Sequence, residues 1–491
     1  MTMVHRVLPP EPVRSLDEHL RRRGGRGLEI AGEVEPEALI DEIEASGLRG
    51  RGGAGFPTHI KWRTVRDNRS EVMKSTVVVN GAEGEPGTYK DRTILMLDPY
   101  SVIEGALIAA MAIGADRVVF GLKRSFAEVA ARVRDACTEV TAAGWGPGIE
   151  LVVFEGPDEY LYGEETALLE TIDGRYPFPR IAPPFRRGVD EVVQSEGDLS
   201  SGSGQSGHVD LAGPDGQVAP PALVDNVETL ANVPHIIARG GRWFRTEGTD
   251  ESPGTIVCTV TGSVQHSGVG EFMMGTPLID VINEIGGGTL RDRRIVAVLG
   301  GVSNALIPAD QLDTPLSYEG MAAIGSGLGS AGFVVYDDED DLVSVVAGVS
   351  RFLAVESCGQ CTPCKKGGVA LSELMAKLSR SGADERDMAA IRERVDTVAD
   401  GARCYLASQH EVVVGSLLER FADQVDAHLT GAVAGVEPAL IAELVTIDDG
   451  SAIVDERHAG KQPDWTYGAT DSGQAPADRL DEHRAPEALE D

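Results

Sequence analysis

Apolar residues recur at helical spacing through PEALIDEIEAS (36–46) and stop at Gly47, which predicts a short amphipathic helix closed by a glycine. Further along, short apolar runs alternate with longer periodic ones. STVVVN (75–80), DRVVFGL (116–122) and IELVVFEG (149–156) are predicted strands. SVIEGALIAAMAIGA (101–115) and FAEVAARVRDACTEV (126–140) are predicted helices between them. Such alternation implies a parallel, doubly wound sheet. Residues 191–219 are rich in Ser, Gly and Asp and read as loop. From near 250, TIVCTVTGSV, GEFMMG, TPLIDVINEIGGG and RIVAVLGG suggest a small α+β unit. Past 340 the period turns helical, through LVSVVAGVSRFLAVES, VALSELMAKLSR, DMAAIRERVDTVAD and EVVVGSLLERFADQV. After about 432 the chain becomes acidic and polar, and its end is expected to be disordered, with KQPDWTY (461–467) as a docking candidate.

Composition changes this picture at two points. The 491 residues carry a formal charge of −34. That charge argues against nucleic acid, because no counterion release would favour binding to a polyanion, and against an anionic membrane surface. The N-terminal stretch lacks the apolar core of a signal peptide, and GALIAAMAIGA (105–115) is too short to span a bilayer. The expectation is a cytoplasmic chain with no membrane insertion of its own. Of six cysteines, three fall within seven residues, which favours a metal site over disulfides. Cys137 and Cys258 lie in predicted core elements and are expected to be buried thiols.

Five stretches carry candidate chemistry. GLRGRGGAGFPTHIKW (47–62) contains a literal G-x-G-x-x-G from Gly50 to Gly55. The dinucleotide fingerprint needs a strand before it and a helix after it. Here a helix is predicted before it and Pro57 follows, so the ordinary Rossmann reading fails. Arg49, Arg51 and Lys61 surround glycines whose N–H groups can approach phosphates, and Phe56 and Trp62 offer flat apolar faces. A cradle for an anionic, ring-bearing ligand fits these residues, with a plain flexible loop as the alternative. VVVNGAEGEPGTYKDR (77–92) follows a strand and puts Glu83 and Glu85 at the carboxyl end of the sheet, where ligands bind. In YLYGEETALLETIDGRYPFPRIAPPF (160–185), Glu164 and Glu165 precede a helical run and either meet a ligand or cap the helix. In LVDNVETLANVP (223–234), Asn226 and Thr229 have the same two options. In ESCGQCTPCKKGG (356–368), Cys358, Cys361 and Cys364 recur every third residue, with Cys404 forty residues on. Four thiolates hold zinc or an iron–sulfur cluster; zinc sites use two separated pairs, whereas this spacing suits a [4Fe–4S] cubane.

Taken together, GRGGAGFP, GEETALLE, NVETL and SCGQCTPC resemble the NADH-binding flavoprotein subunit of respiratory complex I and its relatives, including diaphorase subunits of NAD-linked hydrogenases and formate dehydrogenases. The resemblance covers roughly residues 30–430. It implies an α/β fold in which a modified Rossmann-like domain binding FMN and NADH (1–245) is followed by a ubiquitin-like, β-grasp domain of SLBB type (246–337). A helical bundle with a [4Fe–4S] site (338–432) and an acidic, largely disordered extension (433–491) complete it. By this resemblance Gly50, Arg51, Gly52, Lys61, Asn80, Glu83, Tyr160, Gly163, Glu164, Val224, Asp225, Asn226 and Thr229 face FMN. Gly53, Ala54, Phe56, Glu85, Glu165 and Phe185 face NADH, with Phe56 and Phe185 near the adenine and Glu85 and Glu165 at the reaction site. Cys358, Cys361, Cys364 and Cys404 hold the cluster. The implied activity is that of an NAD(P)H dehydrogenase, either nucleotide remaining open, passing electrons to a partner. That partner is a thioredoxin-like [2Fe–2S] protein, a ferredoxin or a complex I-like peripheral arm, which would place the chain at the inner face of the cell membrane only through other subunits. The alternative is a non-enzymatic electron relay or assembly component. It is motivated by departures from the family pattern at Thr64, Ala82 and Ala182; His59 and Tyr162 also depart from it, and the acidic C-terminal extension suggests a divergent paralogue.

Overall fold

A computed structural model describes residues 3–70, 74–180, 183–189, 219–290 and 292–462. The Ser/Gly-rich stretch at 191–218, Ala182 and the terminal 463–491 lie outside the described residues. Strands β1 (Thr76–Gly81), β2 (Arg117–Lys123), β3 (Glu150–Gly156) and β4 (Ala222–Asn226) form one parallel sheet in the order β3-β2-β1-β4. The first three coincide with the expected strands. β4 is an addition to them, because a five-residue strand ending in Asp225 and Asn226 carries little apolar signal. The chain leaves β1 to one side and returns to the other side in β4. This creates a switch point, with Asn80 and Asn226 paired across the carboxyl ends of the two strands.

Helix Pro99–Ile113 is apolar all round because it is enclosed on all sides; all but one of its residues are buried. Asp98 caps its start, accepting from Ser101 N, and Gly114 closes it with φ +76°. The nearby helix Val227–Arg239 starts at Asn226, whose side chain accepts from Glu228 N at 3.0 Å. The capping role considered for Asn226 is therefore real.

A second sheet combines β5 (Thr255–Gly262), β6 (Gly268–Met273), β7 (Ile295–Leu299), β8 (Ile307–Pro308) and β9 (Gly332–Asp337) in the order β6-β5-β9-β7-β8. Its central pair, β5 and β9, is parallel and the other pairs are antiparallel. Beyond it, helix Leu342–Val355 packs against Val369–Ser379 and Leu406–Arg420, burying Val346, Leu353, Leu371, Met375, Val413 and Leu417 in one core.

The expected disorder after 432 does not hold for residues 433–462. β10 (Leu444–Asp448) and β11 (Ser451–Val454) make an antiparallel hairpin. Around it the segment is tied to the body by buried charge. Lys123 donates to Glu443, Arg92 Nη1 donates to Leu444 O at 2.7 Å, and Lys461 Nζ donates to Glu356 Oε1 at 2.6 Å. Arg351 donates to the carbonyls of His458 (3.1 Å) and Lys461 (2.8 Å). Composition alone cannot see these partners, because each lies about a hundred or more residues away.

Candidate active site

The loop after helix Pro36–Ser46 is closed by its own backbone: Gly50 N donates to Phe56 O at 2.8 Å and Thr58 N to Leu48 O at 3.1 Å. Helix Thr58–Asp67 follows directly, so the G-x-G-x-x-G sits between two helices, as its sequence context implied. Tyr318, from the second-sheet unit, donates to Gly50 O at 2.6 Å and lies where a Cβ on Gly55 would fall, 2.2 Å from its ring. With φ +62°, Gly55 has a conformation and a neighbour that both exclude a side chain. Gly52, Ala54 and Phe56 are exposed at the tip. No described residue accepts from the N–H groups of Gly52, Gly53 or Ala54, which leaves three donors for a ligand.

Two of the three loop cations do not face that ligand. Arg51 is buried: its Nη2 donates to Pro253 O at 3.0 Å and its N to Thr229 Oγ1 at 2.8 Å. Arg49 donates to Gly55 O at 2.7 Å and lies 4.0 Å from the Tyr318 ring centre. Both guanidinium groups brace the loop because its turning carbonyls need donors, and Thr229 is spent on the same task. Lys61 donates to Glu165 Oε2 and to Val224 O, each at 2.9 Å, and its side chain stays partly exposed. Burial works against the Lys61 charge, but Glu165 and Asp225 outweigh it and the pKa is raised. Beneath it Asp225 accepts from Trp62 Nε1 at 2.7 Å, and burial lifts its pKa to about 6 despite Lys61. Phe56 is half exposed and Phe185 half buried, and no ring contact pairs them.

A cavity of about 220 Å³ lies at the carboxyl ends of β1 and β4. It brings together Gly52, Asn80, Glu83 and Glu85 with Tyr160, Gly163, Glu164 and Asn226. Asn80 Nδ2 donates to Gly163 O at 2.8 Å, fixing the two walls. Glu164 caps helix Glu165–Ile172, its Oε2 accepting from Thr166 N at 3.0 Å and Ala167 N at 2.9 Å. Glu83 is less free than expected. Asp91 N (2.9 Å) and Arg92 Nε (2.8 Å) occupy its two oxygens, so it anchors helix Lys90–Leu97. Glu85 is gripped by Val302 N at 2.7 Å and Tyr160 OH at 2.6 Å, and burial raises its pKa in spite of both.

Several lining residues are not among the sequence candidates: Thr88 and Asp91, within the 77–92 stretch, and Ser330 and Gln409, outside every motif. Asp91 belongs to a buried cluster in which Lys90 Nζ donates to Asp91 Oδ1 (2.9 Å), Asn226 Oδ1 (3.2 Å) and Glu228 Oε2 (2.7 Å). Burial raises Asp91 to about 6 even beside Lys90. A signal exists in YKDR (89–92), since adjacent opposite charges at a helix start are often paired; their burial is not legible. Among the departures, Ala82 lines the cavity, whereas Tyr162 is fully buried under Gly121 and Gly156 and belongs to the core. His59 lies 4.0 Å from Glu44, its pKa lowered by burial, and Thr64 bonds its own helix at Ile60 O, 2.7 Å.

The four clustered cysteines, Cys358, Cys361, Cys364 and Cys404, line one small cavity with Leu161, Leu406 and Arg403. Among the described residues no three His, Cys, Asp or Glu side chains converge on a single metal ion. Cys404, Leu161 and Leu406 also line the larger cavity, so the two sites share a wall. Cys137 and Cys258 are buried as expected.

With this geometry in place, the comparisons with known proteins are consistent. The family model of the Nuo51 FMN-binding domain matches residues 43–235, and that of the NADH-ubiquinone oxidoreductase-F iron-sulfur binding region matches 344–428. The second F-type NADH-quinone oxidoreductase chain of Rhizobium meliloti is 33% identical over 416 residues, covering 83% of this chain and 92% of that one. The F-type NADH-quinone oxidoreductase chain of Streptomyces coelicolor is 33% identical, covering 87% and 90%. The HndC component of the NADP-reducing hydrogenase of Solidesulfovibrio fructosivorans is also 33% identical, covering 84% and 81%. Among solved structures, NAD+-reducing [NiFe]-hydrogenase in the H2-reduced state aligns with TM-score 0.71 at 30% identity over 86% of this chain. The chain spans 66% of that hydrogenase chain, just under two thirds.

Proposed function

The chain belongs to the family of F-type NADH-quinone oxidoreductase chains, and from that premise we propose that it is an NADH dehydrogenase flavoprotein passing electrons through one [4Fe–4S] cluster to a redox partner. The observation that carries this reading is the shared wall of Cys404, Leu161 and Leu406 between the cavity and the cysteine site. When bound, FMN takes a hydride from a nicotinamide ring and releases electrons singly, which a cluster accepts one at a time. The residues present suit these groups. The free N–H groups of Gly52, Gly53 and Ala54 offer donors to phosphate, and Asn80, Tyr160, Gly163, Glu164 and Asn226 line the flavin pocket. Cys358, Cys361, Cys364 and Cys404 supply four thiolates.

No side-chain base is required, so the chain's work is positioning. Glu165 and Lys61, partly exposed and paired at 2.9 Å, serve as a hydrogen-bonding pair for ribose and amide groups, and Phe56 presents an exposed ring for the adenine. Glu85, tied to Tyr160 and Val302, is a fixed acceptor and not a mobile base. The proposed units are the flavin domain (1–245), a ubiquitin-like domain of SLBB type (246–337), whose β6-β5-β9-β7-β8 order supports the label, and the cluster-bearing helices (338–432). No single described helix is long and apolar enough to cross a membrane. Cytoplasmic placement beside a thioredoxin-like [2Fe–2S] protein, a ferredoxin or a peripheral arm is part of this proposal.

The deciding experiment is an anaerobic titration of the FMN- and iron-reconstituted chain with NADH and separately with NADPH. Bleaching of the flavin absorbance by NADH is expected. No bleaching by either nucleotide, with flavin bound, would overturn the dehydrogenase reading. A second expected result concerns the Glu165–Lys61 pair. Glu165→Ala raises the KM for NADH by about tenfold or more, because a charged acceptor is lost, while FMN affinity stays within about twofold. Release of the flavin by this variant would show that Glu165 holds FMN instead.

A further inference from the structure

Gln409 lies on helix Leu406–Arg420, is 7% exposed, and lines the larger cavity at the end next to Cys404. Its Nε2 donates to Tyr160 OH at 3.2 Å. That orientation is set by the hydrogen bonds beyond it. Tyr160 gives its single proton to Glu85 Oε2 at 2.6 Å, so its oxygen is left to accept, and only the NH2 end of the amide can face it. The other half of the amide, Oε1, is buried with no hydrogen-bond partner. Buried amide oxygens are rarely left empty, since an unmade bond costs about 1–3 kcal/mol. The structure therefore holds an unpaired acceptor on a residue of the cavity wall, its amide tied into a chain running from Gln409 through Tyr160 and Glu85 to Val302 N on the second-sheet unit.

We infer that Gln409 is a positioning residue for the flavin ring, its Oε1 accepting the ring N3–H. This rests on the FMN reading of the cavity. Oxidised flavin carries one ring N–H, at N3, so an acceptor-only group has one flavin donor to serve. The ring, not the phosphate, belongs at this end, because electrons must reach Cys404. The locked chain makes the acceptor rigid, which lowers the ordering cost of binding.

The test compares FMN with its N3-methylated analogue, which lacks the donor, by fluorescence quenching on the cluster-loaded chain, using the wild type and Gln409→Met. Methionine keeps the volume and removes the acceptor. Expected is about a tenfold loss of affinity on methylation in the wild type, and no discrimination between the two flavins by Gln409→Met. An equal loss in both proteins would mean a steric effect and overturn the assignment. So would equal affinity of the wild type for both flavins. Unchanged flavin affinities with a raised KM for NADH in the variant would overturn it too, by transferring Oε1 to the nicotinamide amide. If the variant is unstable, the wild-type comparison alone still decides between a read and an unread N3–H. Failure of the wild type to bind FMN at all would instead sink the flavoprotein reading, so the two failures are distinguishable.

Discussion

Lys90→Met lowers the stability of the folded chain by about 3–5 kcal/mol and loosens FMN binding. Lys90 is fully buried and is the cation shared by Asp91 and Glu228 at 2.9 and 2.7 Å. Methionine preserves much of the volume, so the loss is electrostatic: two buried carboxylates are left facing each other without the ammonium between them. Glu228 also accepts from Val257 N at 2.9 Å, and Asn226 donates to Asp91 Oδ2 at 2.7 Å. The cluster thus pins β4, helix Val227–Arg239 and the second sheet to the cavity floor. Without Lys90 at least one carboxylate takes up a proton on folding, its folded pKa lying above its unfolded one. The folded state then binds more protons than the unfolded state, and stability falls as pH rises through that interval. Urea unfolding at pH 5 and pH 8 measures this. The variant should lose more at pH 8, and an equal loss at both would argue against carboxylate protonation as the cause.

Cys361→Ser abolishes the reduced-cluster signal in electron paramagnetic resonance and stops electron delivery to a one-electron acceptor partner, while NADH still bleaches the flavin. The expectation is an all-or-none effect on one step, because a cubane corner lacks its thiolate whereas the larger cavity shares Cys404, Leu161 and Leu406 with the cysteine site but not Cys361. An unchanged spectrum would remove Cys361 from the ligand set. Loss of flavin binding together with the cluster would show that the shared wall depends on the cluster for its shape.

Much of the site was legible because its residues cluster in sequence. The three cysteines at 358, 361 and 364 announce a metal site through spacing alone, and Glu164 before an apolar run announces a helix start. Arg51 misled for a physical reason. In a chain of −34, a cation beside glycines suggests an anion, yet its guanidinium is needed by Pro253 O, two hundred residues away. Gln409 carried no signal at all. A glutamine five residues past a cysteine becomes meaningful only when Tyr160 and Glu85 fix which end of its amide is free. The segment 433–462 reads as a polar tail until Lys123, Arg92 and Glu356 are seen waiting for Glu443, Leu444 O and Lys461.

The amino-acid sequence by itself determined the local periods. These are the helix that stops at Gly47, the three apolar strands, the glycine-rich turn, and the cysteine spacing, all set by short-range sterics and by burial of apolar faces. The tertiary structure alone decided which charges face a ligand and which are consumed inside. A buried charge or amide takes whatever partner the fold brings within hydrogen-bond distance, and those partners lie far apart along the chain. That is why Lys61 pairs with Glu165 and stays partly exposed, Arg51 and Lys90 are spent on the scaffold, and Oε1 of Gln409 is left unpaired in the cavity wall.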